Sequence, residues 1–167
     1  DRFPKREGKK IGDIALEVKN WSTYNPVYTD KKVVDNVSFN VRSGEVVGIA
    51  GLMGAGRTEI MMSIFGHSYG TNTTGELYIH GKKTVLKNVS EAMENKIAYV
   101  TEDRKGNGLI LSNPITVNTT LANLSSVSSK RCVIDMDKEV QVAKDYVDKL
   151  KTKCPTVQQN VGNLSGG

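Results

Sequence analysis

The first half of the chain alternates apolar and polar residues with the two-residue period of β-strands. Each alternating run carries its apolar residues on one face, as in a sheet that is covered on one side. The runs that predict strands cover residues 14–20, 33–41 and 76–80, and a hairpin turn at Gly81 leads the last of them back through residues 84–86. The pattern therefore predicts a meander of short strands.

Two apolar runs, Val46–Ala50 and Ile97–Val100, contain no polar alternation and predict short buried strands. A glycine loop follows the first of them, and a helix is predicted from near Thr58 to Phe65. Gly66 comes where a helix ends. Residues 46–65 therefore predict a strand, a glycine loop and a helix in succession.

The second half of the chain favours helices. Ser90 can cap a short helix, and residues 114–124 start extended and become helical. Asp135 or Asp137 caps a longer helix that reaches about Lys151. The apolar positions with helical spacing, which predict its buried stripe, are Val140, Ala143, Val147 and Leu150. Polar stretches at residues 21–28, 71–75, 101–109 and 125–131 predict loops.

Length and composition indicate a globular domain with a core of its own. The chain has 167 residues, two cysteines and a formal net charge of +5. Two unpatterned cysteines predict neither a disulfide framework nor a zinc site. No apolar run approaches the roughly 20 residues that span a bilayer. Aromatic residues are too sparse to interleave with basic ones, so nucleic acid is not an expected partner. Residues 1–13 resemble a linker, which suggests that a domain precedes them.

The glycine loop has the chemistry of a phosphate site. Gly51, Gly54 and Gly56 allow a tight turn that presents backbone N–H groups to an anion, and the helix that follows adds its positive end. The sequence departs from the pattern G-x-x-x-x-G-K-[ST] at one position, because Arg57 replaces lysine. The hydroxyl of Thr58 can still hold Mg²⁺. A planar guanidinium suits terminal phosphates less well than an ammonium, so nucleotide binding is expected to survive better than hydrolysis.

Three motifs in order carry a resemblance to one family: the loop ending in Arg57-Thr58-Glu59, the segment Tyr99–Lys105, and the terminal Leu164–Gly167. Together they resemble ABC transporter ATP-binding subunits, in particular the second nucleotide-binding half of bacterial monosaccharide importers. The resemblance covers residues 14–167. It implies an α/β fold, a partial ABC-type P-loop NTPase domain with an antiparallel β subdomain, a P-loop strand and helix, and a helical subdomain over about 102–167.

The resemblance also implies roles for individual residues. Glu59 replaces the usual second hydroxyl residue of the loop, and Glu102 takes the position of a metal-contacting glutamine, so Thr58 and Glu102 are the candidate Mg²⁺ ligands. Tyr24 best matches the aromatic residue that stacks on adenine, with Trp21 and Tyr28 as alternatives. The residues implied to bind ATP are Gly51, Gly54, Ala55, Gly56, Arg57, Thr58, Glu59, Tyr24, Leu164, Ser165, Gly166 and Gly167.

In the family, the signature motif that begins at Leu164 contacts nucleotide on the opposite domain, and the catalytic acidic residues follow it. The chain is therefore expected to lack the C-terminal part of the core sheet, to have no catalytic residue of its own, and to expose an apolar edge at residues 46–50. The implied partners are the first nucleotide-binding half of the same subunit, membrane permease subunits and, indirectly, a sugar-binding protein outside the membrane. The implied location is the cytoplasmic face of the bacterial membrane.

Three other functions are compatible with parts of the sequence. A small kinase or GTPase would need a lysine at Arg57 and its own acidic metal ligand. An ABC protein acting on ribosomes or DNA would carry larger basic inserts. A non-catalytic module could dock on a permease through residues 102–124.

Overall fold

The computed structural model describes residues 10–164, and the chain divides after Tyr99 into two compact units. The first unit contains an antiparallel sheet with two helices. The second unit is helical. Among the described residues no helix is both long and apolar enough to cross a membrane.

Four antiparallel strands form the sheet of the first unit. They are β1 (Ile14–Tyr24), β2 (Lys32–Arg42), β3 (Thr71–Ile79) and β4 (Lys82–Thr84), and their spatial order is β2-β1-β3-β4. The strands predicted at 14–20, 33–41 and 76–80 are confirmed, as is the hairpin turn at Gly81.

Two predicted loops are strands in the structure. Residues 21–24 extend β1, and residues 71–75 begin β3. These polar residues pair with each other, since Ser22 lies opposite Thr74 and the hydroxyls of Thr23 and Thr73 are 2.7 Å apart. Polar composition predicted loops here, but hydroxyl pairs across a sheet satisfy one another without water.

The sheet is irregular where β1 and β2 pass Asn20 and Asn36. Both residues have positive φ angles, of 50° and 51°, and the register shifts on either side of Trp21. The two side-chain amides bond to each other at 2.9 Å. The backbone N–H groups of Asn20 and Asn36 donate to the hydroxyls of Ser38 and Ser22, respectively, at 2.8 Å. Asparagine tolerates left-handed backbone, so these residues can hold a bulge that bends the sheet.

The core of the first unit lies between this sheet and two helices. Helix α1 (Arg57–Ile64) and helix α2 (Val89–Glu94) bring Ile60, Ile64 and Ala92 against the sheet. Trp21 is 6% exposed, and its indole N–H donates to the Ser63 hydroxyl at 2.9 Å. The buried residues of this cluster are Val18, Trp21, Val34, Ile60, Ile64, Leu77, Leu86 and Ala92.

The end of α1 agrees with the sequence prediction, and the beginning of α2 does not. Gly66 follows α1 with a φ of 64°, and a Cβ there would lie 2.2 Å from the backbone of Asn88, so the predicted stop at this glycine is confirmed. The cap of α2 is Asn88, whose side chain accepts from the N–H of Glu91. The predicted cap, Ser90, is two residues too late, because the helix begins at Val89.

The predicted buried strands at 46–50 and 97–100 are wrong for the described residues. Neither segment is a strand, and Val46, Val47 and Ile49 are 72%, 40% and 44% exposed. Val100 is 92% exposed. A strand forms only against a partner that offers its own backbone groups, and within residues 10–164 no strand pairs with either segment. Residues 46–50 are exposed, as expected, but they are not the edge of a sheet, because no strand forms there.

Helices dominate the second unit. Helix α3 (Ile115–Thr120) continues into a 3₁₀ segment (Leu121–Val127), and helix α4 (Met136–Leu150) follows. Asp135 caps α4, because its carboxylate accepts from the Lys138 N–H at 3.0 Å. Ala143 is buried as predicted, but Leu150 is 73% exposed, so the stripe ends one turn early. A buried carboxylate that sequence did not single out, Glu139, accepts from the Thr120 hydroxyl at 2.8 Å and ties α4 to α3.

Candidate functional site

The glycine loop, residues 51–56, leads directly into α1. Gly54 and Gly56 have φ angles of 77° and 82°, which L side chains rarely adopt. A Cβ on Gly56 would lie 2.5 Å from the carbonyl oxygen of Val33 in β2. The loop is therefore held against the sheet by a contact that glycine alone permits.

The N-terminus of α1 has the arrangement that suits an anion. Among the described residues no side chain caps this helix, whose cap residue is Gly56. The N–H groups of a first helical turn and the helix dipole favour a negative group at this place. The N–H of Ala55 bonds to the Leu52 carbonyl at 3.1 Å and closes the turn in front of the helix.

Arg57 begins α1 and is exposed. Its Cγ and Cδ atoms lie 3.6 and 3.4 Å from where a Cβ on Gly51 would be, so the side chain runs back across the first glycine of the loop. Thr58 and Glu59 follow in the first helical turn and are half-buried. Burial raises the pKa of Tyr69, and the negative charge of Glu59 raises it further.

A largely apolar cleft of about 580 Å³ opens beside the loop. It is bounded by β2, by the extended segment 47–50 and by the beginning of α1. The side chains of Arg57 and Asp35 supply its charged groups. Its apolar lining consists of Val33, Val34, Val37, Phe39, Val47, Ile49, Ala50, Ala55 and Ile60.

The three aromatic candidates for an adenine contact differ in accessibility. Trp21 is excluded from this role, because its ring is buried in the core. Tyr24 lies at the end of β1, half-buried, with the Lys32 ammonium 5.6 Å from its ring centroid. Tyr28 is 66% exposed in the loop between β1 and β2.

Hydrogen bonds hold that loop around Tyr28. The Asn25 side-chain oxygen accepts from the N–H groups of Val27 and Tyr28 at 2.8 and 2.9 Å, and the Lys31 N–H donates to the Tyr28 carbonyl. The Asn25 amide also reaches the Tyr69 hydroxyl at 3.4 Å. Asn25 is not among the residues predicted from sequence, although an asparagine just before a proline in a polar stretch is a turn signal.

Glu102 lies in the second unit, at the start of the charged loop 101–109. Its carbonyl accepts from the Arg104 N–H at 3.1 Å, and the carboxylate of Asp103 accepts from the Gly106 N–H at 2.9 Å. The predicted loop contains a π-helical turn, Arg104–Gly108. Within the described part of the chain, no three His, Cys, Asp or Glu side chains are grouped to hold a metal ion.

Of the predicted signature residues, Leu164 is half-buried and its N–H donates to the Val161 carbonyl at 3.0 Å. Ser165, Gly166 and Gly167 lie outside the described residues. The first unit therefore brings together the predicted loop residues Gly51, Gly54, Ala55, Gly56, Arg57, Thr58 and Glu59, whereas Glu102 and Leu164 belong to the second unit.

Comparison with known proteins agrees with this geometry. The family model described as "ABC transporter" matches residues 34–167. The chain is 50% identical over its whole length to the L-arabinose transport ATP-binding protein AraG of Geobacillus stearothermophilus, and covers 32% of that protein. It is 49% identical over 93% of its length to the xylose import ATP-binding protein XylG of Moorella thermoacetica, covering 30% of it. The chain thus spans about a third of the length of these relatives.

A solved structure shares the fold at low sequence identity. It is that of a bacterial Atm1-family ABC exporter with ATP bound, with a TM-score of 0.61 and 19% identity over 98% of this chain and 27% of the exporter chain. This likeness and the family match confirm the predicted α/β fold of a partial ABC ATPase domain. The chain belongs to the ABC transporter family of ATP-binding domains, as the resemblance in its sequence predicts.

Proposed function

We propose that this chain is the ATP-binding domain of a bacterial importer that couples ATP hydrolysis to the uptake of a monosaccharide. The observation that carries the proposal is the Gly51–Gly56 loop, held by Gly56 against the Val33 carbonyl at the uncapped start of α1. The names of the relatives AraG and XylG, both sugar transport or import proteins, support a sugar as the cargo.

The loop is proposed to bind the phosphates of ATP and to hydrolyse them slowly. Backbone N–H groups around Gly54 and Gly56 would face the phosphates, and the Arg57 guanidinium would replace the usual ammonium. Thr58 would hold Mg²⁺, which neutralises phosphate charge when bound. Glu102 is the second proposed ligand, and its carboxylate would also repel the terminal phosphate. Glu59 adds a further negative charge in the first turn of α1, next to Thr58.

The second part of the proposal concerns Leu164–Gly167. We infer that this segment acts on ATP held by another nucleotide-binding domain, the first half of the same subunit. A serine hydroxyl and glycine N–H groups are suitable donors to a terminal phosphate. The chain would then contribute to hydrolysis mainly through this segment, at a site where the partner half supplies the catalytic acidic residues.

The remaining partners follow from the same assignment. The domain would bind the permease subunits on the cytoplasmic face of the membrane, and a sugar-binding protein would act on the complex from the other side. The relatives named for L-arabinose, xylose and ribose import support this assembly. Nucleic acid is not a proposed partner.

Two substitutions in the full-length subunit test the division of labour. Ser165→Arg should abolish ATP hydrolysis by the assembled transporter, because it places a bulky side chain where the serine hydroxyl is proposed to bind the terminal phosphate. Arg57→Ala should lower the rate far less, by about twofold to tenfold. The measurement is steady-state phosphate release with the permease present. The opposite ranking of the two variants would refute the proposed roles.

For the adenine contact we propose Tyr28, with Tyr24 as the alternative. Tyr28 is exposed and its backbone is fixed by Asn25, whereas one face of Tyr24 is near Lys32. Losing a stacked ring costs about 1–3 kcal/mol by analogy with other base contacts. Tyr28→Ala should therefore weaken ATP binding to this domain about tenfold, as measured with a fluorescent ATP analogue, and Tyr28→Phe should preserve it. A larger loss in Tyr24→Ala would restore the first assignment.

A second candidate function is a non-catalytic module that docks on a permease. A groove of about 260 Å³ beside α3 and α4 favours it, and its lining includes Ile115, Tyr146, Val147 and Leu150. Co-purification with the permease combined with labelled ATP separates the two candidates. Permease binding without ATP labelling would support the module alone.

A further inference from the structure

The residues that lead into the signature segment are bonded to the stretch in front of α3. Four backbone hydrogen bonds of 2.9 to 3.1 Å join residues 111–116 to residues 157–162, and this paired region is called the strap below. The bonds run from the N–H groups of Gly162, Val161, Ile115 and Thr116 to the carbonyls of Leu111, Asn113, Gln159 and Val157, respectively.

The strap leaves little room for adjustment. A Cβ on Gly162 would lie 2.9 Å from the Leu111 carbonyl oxygen, which is closer than real Cβ contacts come. On the other side of the strap, the buried Thr116 hydroxyl donates to the Val157 carbonyl at 2.8 Å. A small displacement of one half of the strap must therefore displace the other half.

One side chain fixes the first half of the strap. The Asn118 side-chain oxygen accepts from the Ile110 N–H at 2.8 Å, and its amide group donates to the carbonyls of Ile110, Pro114 and Asn113 at 3.0, 3.1 and 3.3 Å. A side-chain amide carries an acceptor oxygen and two N–H donors, so a single residue can bond to both N–H and carbonyl groups. Asn118 thus bonds to the N–H and the carbonyl of Ile110 and to two carbonyls in the turn that follows.

The two ends of this arrangement lie next to the two segments of the second unit that have roles in the proposed function. Ile110 directly follows the charged loop 101–109, which contains Glu102. At the other end, Gly162 is two residues from Leu164, whose N–H bonds back to Val161. Asn118 and the strap therefore connect the end of the Glu102 loop to the beginning of the signature segment.

We propose that Asn118 is a positioning residue for ATP hydrolysis, which sets through the strap where the chain enters the signature segment. The inference rests on the proposed function, in which Leu164–Gly167 acts on nucleotide held by another domain. Asn118 itself touches no nucleotide in this proposal. Its loss should misplace the donors at the signature segment and leave the glycine loop of the first unit as it is.

The test uses the full-length subunit assembled with its permease. Asn118→Ala should lower kcat for ATP hydrolysis about ten- to a hundredfold, because misplacing catalytic groups by about 1 Å has effects of this size. The KM for ATP should change less than about twofold, since ground-state binding is unaffected. Labelling of the Gly51–Gly56 loop by a photoreactive ATP analogue should stay at the wild-type level. Asn160→Ala is the matched control, because Asn160 lies in the strap but its side chain caps no helix.

A second variant changes the other half of the strap, residues 157–162. Gly162→Ala should reproduce the fall in kcat, and the double variant should be little worse than either single one, because residues in one network are not additive. Asn118→Asp should be as slow as Asn118→Ala, since a carboxylate keeps the bond to the Ile110 N–H but faces three carbonyl oxygens that it cannot donate to.

Three outcomes would overturn the inference. They are a wild-type kcat in Asn118→Ala, a loss of loop labelling equal to the loss of kcat, and full additivity with Gly162→Ala. Ser165→Arg, measured in parallel, distinguishes a failure of the proposed function from a failure of the role of Asn118. If Ser165→Arg hydrolyses ATP normally, the proposed function fails. If Ser165→Arg is inactive while Asn118→Ala is normal, only the role of Asn118 fails.

Discussion

Two regions of the first unit are similarly apolar in sequence, but one is buried and the other is exposed. Val18 and Val34, in β1 and β2, are 1% and 5% exposed, whereas Val46 is 72% exposed. The strands β1 to β4 find their pairing partners within the first unit, and their apolar side chains close a core with α1 and α2. The segment 46–50 has no strand partner among the described residues. An apolar sequence is therefore not sufficient for burial, because a neighbouring element must supply the other surface.

The glycine loop adjoins both regions, but its position depends only on the sheet. Its turn comes from its own glycines, and its position comes from the contact of Gly56 with the Val33 carbonyl of the well-formed sheet. The loop keeps a defined shape although the segment before it is exposed. This difference explains how the glycine loop can have a defined position beside an unpaired apolar segment.

The largest expected effect contrasts the core with the exposed segment. Trp21→Ala should lower the free energy of unfolding by about 3–5 kcal/mol, through the cavity and the buried Ser63 hydroxyl that loses its donor. Val46→Ala should change it by less than about 0.5 kcal/mol, because this side chain is already in water. Urea unfolding followed by circular dichroism measures both. Comparable losses in the two variants would show that residue 46 is buried in solution.

The next effect tests the junction of the loop and the sheet. Gly56→Ala should cost about 1–3 kcal/mol, because it combines a positive φ with a contact to backbone, and it should abolish binding of an ATP analogue. Gly54→Ala meets no neighbour within 4 Å and carries only the φ cost of about 1 kcal/mol.

Gly48→Ala is the matched control for both variants, since it has open space and an ordinary φ. It should be neutral within about 0.5 kcal/mol. An equal loss in Gly48→Ala and Gly56→Ala would mean that the segment 46–50 is packed as tightly as the loop.

The smallest effect concerns the exposed face of the sheet. The Lys83 ammonium, together with the Tyr78 hydroxyl, holds the pKa of Glu76 below its ordinary value. A lowered pKa in the folded state stabilises the fold above the ordinary carboxyl pKa, and this contribution is lost as the pH falls through the folded-state pKa. The urea midpoint should therefore drop less between neutral and acidic pH in Lys83→Met than in the wild type.

Lys82→Met is the control for this experiment, because Lys82 is an exposed neighbour on the same strand. It should show the wild-type pH dependence. The difference between the two variants should be small, since both members of the ion pair are well exposed to solvent. An identical pH dependence in the two variants would mean that the interaction of Lys83 with Glu76 does not contribute to the pH dependence of stability.

Structure that depends on neighbouring residues is predictable from this sequence. The alternating strands, the stop at Gly66 and the Asp135 cap depend on residues a few positions apart, and all three are confirmed. The sequence prediction was wrong at residues 21–24 and 71–75, where polar residues pair across strands distant in sequence. It was wrong again at 46–50 and 97–100, where an apolar run by itself cannot show whether a partner is present.

The candidate site divides in the same way. The identity of the loop residues Gly51 to Glu59 follows from the motif, because anion binding by backbone N–H groups needs glycine at fixed spacing. The choice among Trp21, Tyr24 and Tyr28 did not follow, because three aromatic residues in one polar stretch look alike until a fold buries one of them. The role proposed for Asn118 carried no sequence signal either, since its partners are backbone groups that any residue possesses.

The sequence by itself determined the period of the strands, the turns that require glycine or asparagine, and the phosphate-binding pattern, because these are properties of neighbouring residues. Only the tertiary structure decided which apolar residues are buried, that Trp21 belongs to the core, and that residues 111–116 and 157–162 are bonded together. The physical reason is that burial and backbone pairing belong to two surfaces at once, and the second surface is supplied by residues far away along the chain.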